Sequence, residues 1–289
     1  MTLPTDASAQ AALAALHAPT QPDSLRIEAA EIPFHALAWG EPSDSPLLLM
    51  HGVTASAGGW WRIGPALAAA GYRVIAPDMP GHGLTGGWSG HVALRDNAAD
   101  LAAFARAAFA GAAPGDVRVV GHSWGAMTAA WFPGVGYAPR ALVLVDPPLI
   151  PVAVIELLLE NPDDRHYDDA TEAMDAIGGV GPTWAYGDVA AKALSLTQFD
   201  EPAVRAVLTQ NGDWDGGLAA LADPAARGVP IRLIRGDPAA GGYIPDHAVP
   251  AFEARLGRGN VTTITGAPHS PHRTHPIETT MALLRALAD

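Results

Sequence analysis

Short apolar runs alternate with longer amphipathic segments from residue 25 to the C-terminal end of the sequence. The apolar runs predict strands at 47–50, 73–76, 117–120, 141–145, 231–234 and 261–264. The amphipathic segments predict helices at 60–70, 92–110, 126–131, 248–256 and 277–288. Regular alternation of strand and helix is typical of a mostly parallel sheet whose strands are joined by crossover helices. The pattern therefore predicts an α/β fold.

One segment, 149–226, breaks this alternation, since it is helical in composition, acidic, and interrupted by proline and glycine. It predicts a helical lid inserted into a core domain that comprises 1–148 and 227–289. Residues 1–22 are rich in alanine and predict a short helix or an arm that precedes the sheet.

Charge and composition exclude several classes of function. Seventeen basic residues stand against 30 acidic ones, a net charge of −13, so we expect no nucleic-acid partner and no binding to an anionic membrane surface. The absence of cysteine rules out a thiol nucleophile, thiolate metal sites and disulfides. The one lysine, Lys192, lies in an ordinary helical stretch, which makes it a poor candidate for a Schiff-base residue.

The location of the protein is predicted from what the sequence lacks. The first 19 residues contain no basic leader followed by an apolar stretch. No apolar run reaches the roughly 18 residues that a membrane span needs. We therefore expect a cytoplasmic protein. We also expect it to act on a small molecule and to be a monomer or a homodimer.

A Gly-x-Ser-x-Gly motif, Gly121 to Gly125, separates the strand at 117–120 from the helix at 126–131. In that context the motif predicts a tight turn that projects the hydroxyl of Ser123 clear of the sheet. A serine hydroxyl is a poor nucleophile at neutral pH, so it needs a histidine base within hydrogen-bond reach and an acid that orients the base.

Three further blocks occur in order around this motif: His51-Gly52-Val53-Thr54, Asp78-Met79-Pro80-Gly81-His82-Gly83 and Gly266-Ala267-Pro268-His269. Together with the serine motif they resemble the α/β-hydrolase fold superfamily, from about residue 25 to the end. The resemblance implies a mostly parallel sheet of about eight strands flanked by helices, with a helical cap inserted after the sixth strand. It also implies a catalytic triad in the chain order serine, acid, histidine, with no cofactor and no metal.

The triad residues follow from this order. Ser123 is the expected nucleophile and His269 the expected base. Two aspartates follow predicted central strands, and both remain candidates for the acid: Asp146, which we favour, and Asp237, which stands one residue after Gly236. Asp246 or a carboxylate of the lid is a third possibility.

The other histidines have different predicted roles. His122 adjoins the nucleophile but points away from it by strand alternation, and His51 and His82 belong to turn motifs. His272 and His275 follow the base at a spacing that a metal triplet could share, but nearby prolines indicate an irregular loop. We therefore expect these two to be solvated or hydrogen-bonded.

The remaining site residues are predicted from the chemistry of acyl transfer. The oxygen of a tetrahedral intermediate needs preorganised donors, for which the backbone N–H groups of Val53 and Trp124 are the candidates. Trp60, Trp61 and Trp184 are candidates to line an apolar substrate pocket, and packing in the core is the alternative for the Trp60-Trp61 pair.

The expected function is hydrolysis of a carboxylic ester or lactone of a small, apolar substrate through an acyl-enzyme intermediate. An acidic lid favours neutral over acidic substrates. Serine at the turn excludes relatives that open epoxides or displace halides, because these carry aspartate there. A carbon–carbon bond hydrolase that cleaves a diketone with the same triad is an alternative. A non-catalytic receptor for a small ligand on the same fold is a second alternative.

Overall fold

The computed structural model describes residues 7–85, 90–155, 157–178 and 184–288. Its strands are β1 (Asp23–Ala29), β2 (Ile32–Trp39), β3 (Ser45–Met50), β4 (Tyr72–Pro77), β5 (Arg118–His122), β6 (Ala141–Val145), β7 (Leu149–Ile150), β8 (Trp214–Asp215), β9 (Ile231–Arg235) and β10 (Val261–Thr263). Its α-helices are α1 (Ala7–His17), α2 (Ile63–Ala69), α3 (Leu94–Ala108), α4 (Trp124–Ala130), α5 (Val152–Ile155), α6 (Ala170–Gly178), α7 (Tyr186–Leu196), α8 (Glu201–Gln210), α9 (Leu218–Ala222), α10 (Val249–Leu256), α11 (Pro271–Thr274) and α12 (Pro276–Leu287).

Eight of these strands form one sheet in the order β1-β2-β4-β3-β5-β6-β9-β10. The first two pairings, β1 with β2 and β2 with β4, are antiparallel, and the other five are parallel. This confirms the predicted α/β-hydrolase fold with a mostly parallel sheet of about eight strands. The six strands predicted from apolar runs correspond to β3, β4, β5, β6, β9 and β10.

The sequence did not predict the hairpin formed by β1 and β2. Its two-residue turn is Ala30-Glu31, and both residues have a positive φ, 50° and 62°. Such turns usually contain asparagine or glycine, which tolerate a positive φ at little cost. Without those residues the chain lacks the usual sequence mark of a hairpin.

The central strands are buried on both faces. In β3, Leu47 and Leu49 pack with helices α1, α2 and α12, whereas Leu48 and Met50 pack with α3 and α4 on the opposite face. Successive side chains of a strand point to opposite faces, so a continuous apolar run is what a doubly covered strand requires. The carboxyl ends of β3, β5 and β6 then meet at one edge of the sheet, where the site lies.

The segment 149–226 lies between β6 and β9 along the chain. Its first residues are joined to a later part of the segment, because β7 pairs with β8 in an antiparallel register that sets Leu149 opposite Asp215. The rest of the segment that the structure describes includes α5, α6, α7 and α8. Its division from the core as a separate lid stays a prediction. Among the described residues, no helix is both long and apolar enough to cross a membrane.

Candidate active site

Ser123 occupies the turn between β5 and α4 in a backbone conformation that side chains rarely adopt, with φ 55° and ψ −124°. The turn closes only because its neighbours are glycines. A Cβ atom on Gly121 would lie 2.3 Å from the carbonyl oxygen of Gly125, and one on Gly125 would lie 2.4 Å from that of His51. The packing around this turn therefore explains the glycines of the motif.

The side chains of Ser123, His269 and Asp146 form one hydrogen-bonded chain. The Nε2 atom of His269 lies 2.8 Å from Ser123 Oγ, and its Nδ1 atom lies 2.8 Å from Asp146 Oδ2. An ionised carboxylate only accepts hydrogen bonds, so the Nδ1 atom of His269 carries the proton. The Nε2 atom is then free to accept a hydrogen bond from the hydroxyl of Ser123.

Asp146 is fully buried and held in place by backbone donors. The N–H of Gly236 donates to its Oδ1 atom and the N–H of Tyr243 to its Oδ2 atom, both at 3.0 Å. A buried carboxylate needs such partners to offset its loss of hydration. Its own φ of 42° turns the side chain toward the histidine at the end of β6.

The other candidate acids lie elsewhere. Asp237 accepts hydrogen bonds from the N–H groups of Ala239 and Gly266, both at 2.9 Å, and these bonds lower the pKa of its carboxyl. It thereby braces the loop that carries His269 without contacting the ring. Asp246 forms an ion pair with Arg235 at 2.5 Å. Of the three aspartates, the structure brings only Asp146 to the histidine.

The loop after β3 passes directly beside the nucleophile. A Cβ atom on Gly52 would lie 3.0 Å from Ser123 Cβ and 3.4 Å from Ser123 Oγ. The backbone of Val53 therefore lies next to the position where a substrate carbonyl would meet the serine. The N–H of Trp124 begins α4, so it has no acceptor within the helix.

Two buried histidines hold this loop. His51 lies 2.7 Å from the carbonyl of Gly52 through Nδ1, and its Nε2 accepts from the N–H of Met79 at 2.9 Å. His82 accepts from the N–H of Thr54 at 3.3 Å. Burial is the main cause that lowers the pKa of both rings, to about 3 for His82. Neutral rings are required, because a protonated imidazole cannot accept those amides.

Asp78, the first residue of the block from Asp78 to Gly83, connects that block to the chain that follows β3. Its Oδ1 atom accepts from the N–H of Ala57 at 2.7 Å, and its Oδ2 atom lies 2.7 Å from Nδ1 of His35. A Cβ atom on Gly83 would lie 2.2 Å from the carboxyl carbon of Asp78, which explains the glycine in this turn.

Lys192 is a site residue that the sequence argument missed. Its side chain is buried, and its Nζ atom donates to the carbonyl of Thr54 at 3.0 Å, to Thr54 Oγ1 at 2.8 Å and to Asp164 Oδ1 at 3.1 Å. Burial lowers the pKa of the amine, and Asp164 opposes that shift. The one feature of the sequence that could have drawn attention to this residue is that it is the one lysine in a chain with 17 basic residues.

A cavity of about 290 Å³ opens beside Ser123 and His269. Its apolar wall includes Leu158, Trp184 and Trp214, and four charged residues also line it: Asp163, Asp164, Lys192 and Arg273. Six of these seven belong to the segment 149–226. The pocket therefore combines an apolar wall with two acidic and two basic side chains, so its acidic groups are accompanied by cations.

Of the three tryptophans predicted to contact substrate, Trp184 lines this cavity and the other two do not. Trp60 is buried with its ring centroid 5.0 Å from that of His272. Trp61 donates from Nε1 to Asp188 at 2.9 Å. Their rings are used in packing and in anchoring α7, as in the packing alternative that the sequence left open for this pair.

The remaining histidines near the base have structural contacts. His122 lies 2.9 Å from the carbonyl of His269 through Nε2. His275 hydrogen-bonds to Thr274 Oγ1 at 2.9 Å. His272, expected to be solvated or hydrogen-bonded, is instead buried beside Trp60, and its Nδ1 atom has no hydrogen-bond partner in the described part of the chain. Burial lowers its pKa well below the usual value.

The sequence also matches a known protein family over most of its length. The model of the alpha/beta hydrolase family matches residues 47–283. Because the match includes the serine turn, both flanking loops and the histidine loop, the chain belongs to that family.

Solved structures share this fold at low sequence identity. E-2-(acetamidomethylene)succinate hydrolase superimposes with a TM-score of 0.77 and 20% identity, over 93% of this chain and 100% of that one. N-formylmaleamic acid deformylase from Pseudomonas putida S16 gives 0.69 and 22%, over 90% and 100%. An esterase from Rhodococcus sp. ECU1013 gives 0.69 and 19%, over 93% and 99%. These similarities extend over whole chains and establish the fold.

A more local match involves a curated protein. Over 45 residues the chain is 51% identical to the magnesium-chelatase 30 kDa subunit of Rhodobacter capsulatus. The matched stretch spans 15% of this chain and 16% of that protein, so the two are compared over a small part of their lengths.

Proposed function

We propose that this protein is a serine hydrolase that cleaves a small carboxylic ester or lactone through an acyl-enzyme intermediate on Ser123. The observation that carries the proposal is the hydrogen-bonded chain from Ser123 Oγ through His269 to Asp146, with both contacts at 2.8 Å. This arrangement has the order of contacts that activates a serine hydroxyl in acyl transfer.

In the acylation step Ser123 Oγ attacks the carbonyl carbon of the ester while Nε2 of His269 takes the hydroxyl proton. The carbonyl oxygen becomes negatively charged and accepts hydrogen bonds from the N–H groups of Val53 and Trp124. Asp146 keeps the ring oriented and stabilises its positive charge. When the intermediate collapses, the carbon–oxygen ester bond breaks and His269 returns the proton to the leaving alcohol.

In the deacylation step a water molecule replaces the alcohol. His269 takes a proton from the water, whose oxygen attacks the acyl carbon, and the same two N–H groups stabilise the second oxyanion. Collapse releases the carboxylic acid and returns the proton to Ser123. No cofactor takes part in this scheme.

The size of the cavity supports a small substrate. Its volume of about 290 Å³ lies just below the range of roughly 300–1,000 Å³ that is typical of small-molecule pockets. Most of the large apolar and charged side chains that line the cavity come from the segment 149–226. We therefore assign substrate selection to this segment, acting as a lid over the serine.

Covalent labelling tests the proposal directly. The protein is incubated with a fluorophosphonate and analysed by peptide mass spectrometry, with Ser123→Ala as the matched control. We expect one label on Ser123 and none on the variant. We also expect His269→Ala to abolish turnover of p-nitrophenyl butyrate. A folded protein that stays unlabelled would show that the serine is not activated.

A further inference from the structure

Arg273 lies at the wall of the cavity, four residues after His269, in the short helix α11. Only 6% of its surface is exposed. Arginine side chains are rarely buried to this extent unless they are paired, because removing a charge from water is costly.

Within the ranges that the structure describes, no residue accepts a hydrogen bond from the Arg273 guanidinium, and no acidic oxygen lies within 4.0 Å of it. Two nearby carboxylates are already occupied. Asp188 is held by Arg62 at 2.6 Å and by Trp61, and Asp164 by Lys192 at 3.1 Å. The guanidinium is thus a buried cation with unused donors beside a cavity.

A contact with Trp184 fixes the orientation of the Arg273 guanidinium. Its guanidinium carbon lies 4.6 Å from the ring centroid of Trp184, a distance that places the cation over the aromatic face. A stacked guanidinium keeps its N–H groups free along the edge of its plane, and that edge matches the two oxygens of a carboxylate. Trp184 thereby fixes the plane without using the donors.

We propose that Arg273 binds a carboxylate carried by the substrate, so that the protein hydrolyses small esters with a free carboxylate in preference to neutral esters. The inference rests on the proposed function, since the ester group would lie at Ser123 while the carboxylate lies at Arg273 in the same cavity. Lys192 does not share this role, because its Nζ atom already donates to Thr54 and Asp164.

Asp163 is a second charged residue at the cavity, and its effect on substrate selectivity should be opposite to that of Arg273. It lines the same cavity, and burial together with the neighbouring Asp164 raises its pKa. Among the described residues it has no basic group within 4.0 Å. A carboxylate substrate is attracted by Arg273 and repelled by Asp163, so removing each charge must change selectivity in opposite directions.

The test compares two matched pairs of esters that differ in one group. Monomethyl glutarate is paired with the methyl ester in which an isopropyl group replaces the free carboxylate, and the acetate ester of 3-hydroxypropanoate is paired with isoamyl acetate. The first pair places the carboxylate on the acyl side and the second on the alcohol side. The quantity measured is the ratio of kcat/KM within a pair, which does not depend on the fraction of folded enzyme.

We expect wild type to favour the carboxylate ester in at least one pair. Arg273→Gln should lower that ratio by about 10- to 100-fold, as expected for losing a charge-assisted hydrogen bond, and Arg273→Lys should give an intermediate ratio. Asp163→Asn should raise it. Arg205→Gln, which removes the same charge from an exposed pair with Glu201, should leave it unchanged.

The opposite results overturn the proposal: wild type favours the neutral ester in both pairs, or Arg273→Gln leaves the ratio unchanged. A separate measurement isolates binding from catalysis. Glutarate should raise the Tm of Ser123→Ala and not that of the double variant Ser123→Ala/Arg273→Gln. If wild type hydrolyses no ester and this Tm shift persists, the proposed reaction fails while the carboxylate site stands. If wild type hydrolyses esters and glutarate raises neither Tm, the carboxylate site fails alone.

Discussion

The ammonium group of Lys192 lies 2.8 Å from the hydroxyl of Thr54 and 3.0 Å from its carbonyl, and so ties helix α7 to the loop beside the nucleophile. Thr54 has a positive φ of 57°, an unfavourable conformation for a β-branched residue. The buried amine helps to hold the loop in this conformation, and in the proposed mechanism the adjacent Val53 presents its N–H to the oxyanion.

Replacing Lys192 with methionine should therefore weaken catalysis and stability together. We expect kcat for p-nitrophenyl butyrate to fall about 10-fold or more, because one oxyanion donor is displaced. The free energy of unfolding should fall by about 2 kcal/mol, since Thr54 and Asp164 lose a buried partner. Steady-state kinetics and urea unfolding measure the two effects.

A second variant separates the effect of Lys192 on the position of the loop from its effect on the stability of the protein. In Lys192→Met/Asp164→Asn the unpaired carboxylate is gone, so stability should recover in part while kcat stays low. If both variants kept the wild-type kcat, the lysine would have a structural role only.

The two aspartates that the sequence left open should differ sharply in activity. Asp146→Asn should lower kcat by about 10³-fold or more, because an amide can stabilise the wrong tautomer of His269. Asp237→Asn should keep most of the activity, since Asp237 makes no contact with the His269 ring, although the single amide oxygen can accept from only one of the two N–H groups that Oδ1 and Oδ2 now bind, those of Ala239 and Gly266. Parallel kinetics on the two folded variants give the comparison, and equal losses would contradict the assignment of Asp146 as the acid.

The serine turn should not tolerate a methyl group. Gly125→Ala places a Cβ atom 2.4 Å from the carbonyl oxygen of His51, so we expect a loss of about 3 kcal/mol in unfolding free energy, or insoluble protein. Gly115→Ala is the matched control, because a Cβ atom there meets no atom within 4 Å. Its stability should change by less than about 0.5 kcal/mol. Equal tolerance at both positions would be inconsistent with this packing.

Buried neutral histidines should make the fold sensitive to acid. The pKa of His82 is lowered to about 3 in the folded protein, against 6.5 for a free side chain, so between these pH values the unfolded chain binds the extra proton. Stability from this residue is present above pH 6.5 and is lost as the pH falls, by about 1.4 kcal/mol per unit.

His51, His122 and His272 are lowered in the same direction by burial, which steepens the expected slope. Urea unfolding at a series of pH values from 7 to 5 measures it. His82→Asn should reduce the slope by up to one proton, and a variant slope equal to that of wild type would show that His82 does not contribute.

The net charge of the chain does not describe the charge at the pocket. A value of −13 and an acidic segment 149–226 led us to expect repulsion of acidic substrates. In the folded chain Asp164 is paired with Lys192, and Asp188 with Arg62. Arg273 reaches the same cavity from a different part of the sequence. Local charge at a site depends on which ionic groups fold together, and composition does not contain that information.

Some features of this protein are determined by local sequence. The continuous apolar runs specify doubly covered strands, and the Gly-x-Ser-x-Gly pattern specifies the tight turn, because both can be read from residues that are near one another in the chain, although the contact of Gly125 with the carbonyl of His51 forms only in the folded protein. Pairings between distant residues were decided by the tertiary structure. It brought Asp146, instead of Asp237, to His269, and it joined Lys192 to Thr54 across 138 positions. Side chains that meet only when strand ends and helices pack leave no mark in the local pattern, and the cavity beside Ser123 brings together such side chains.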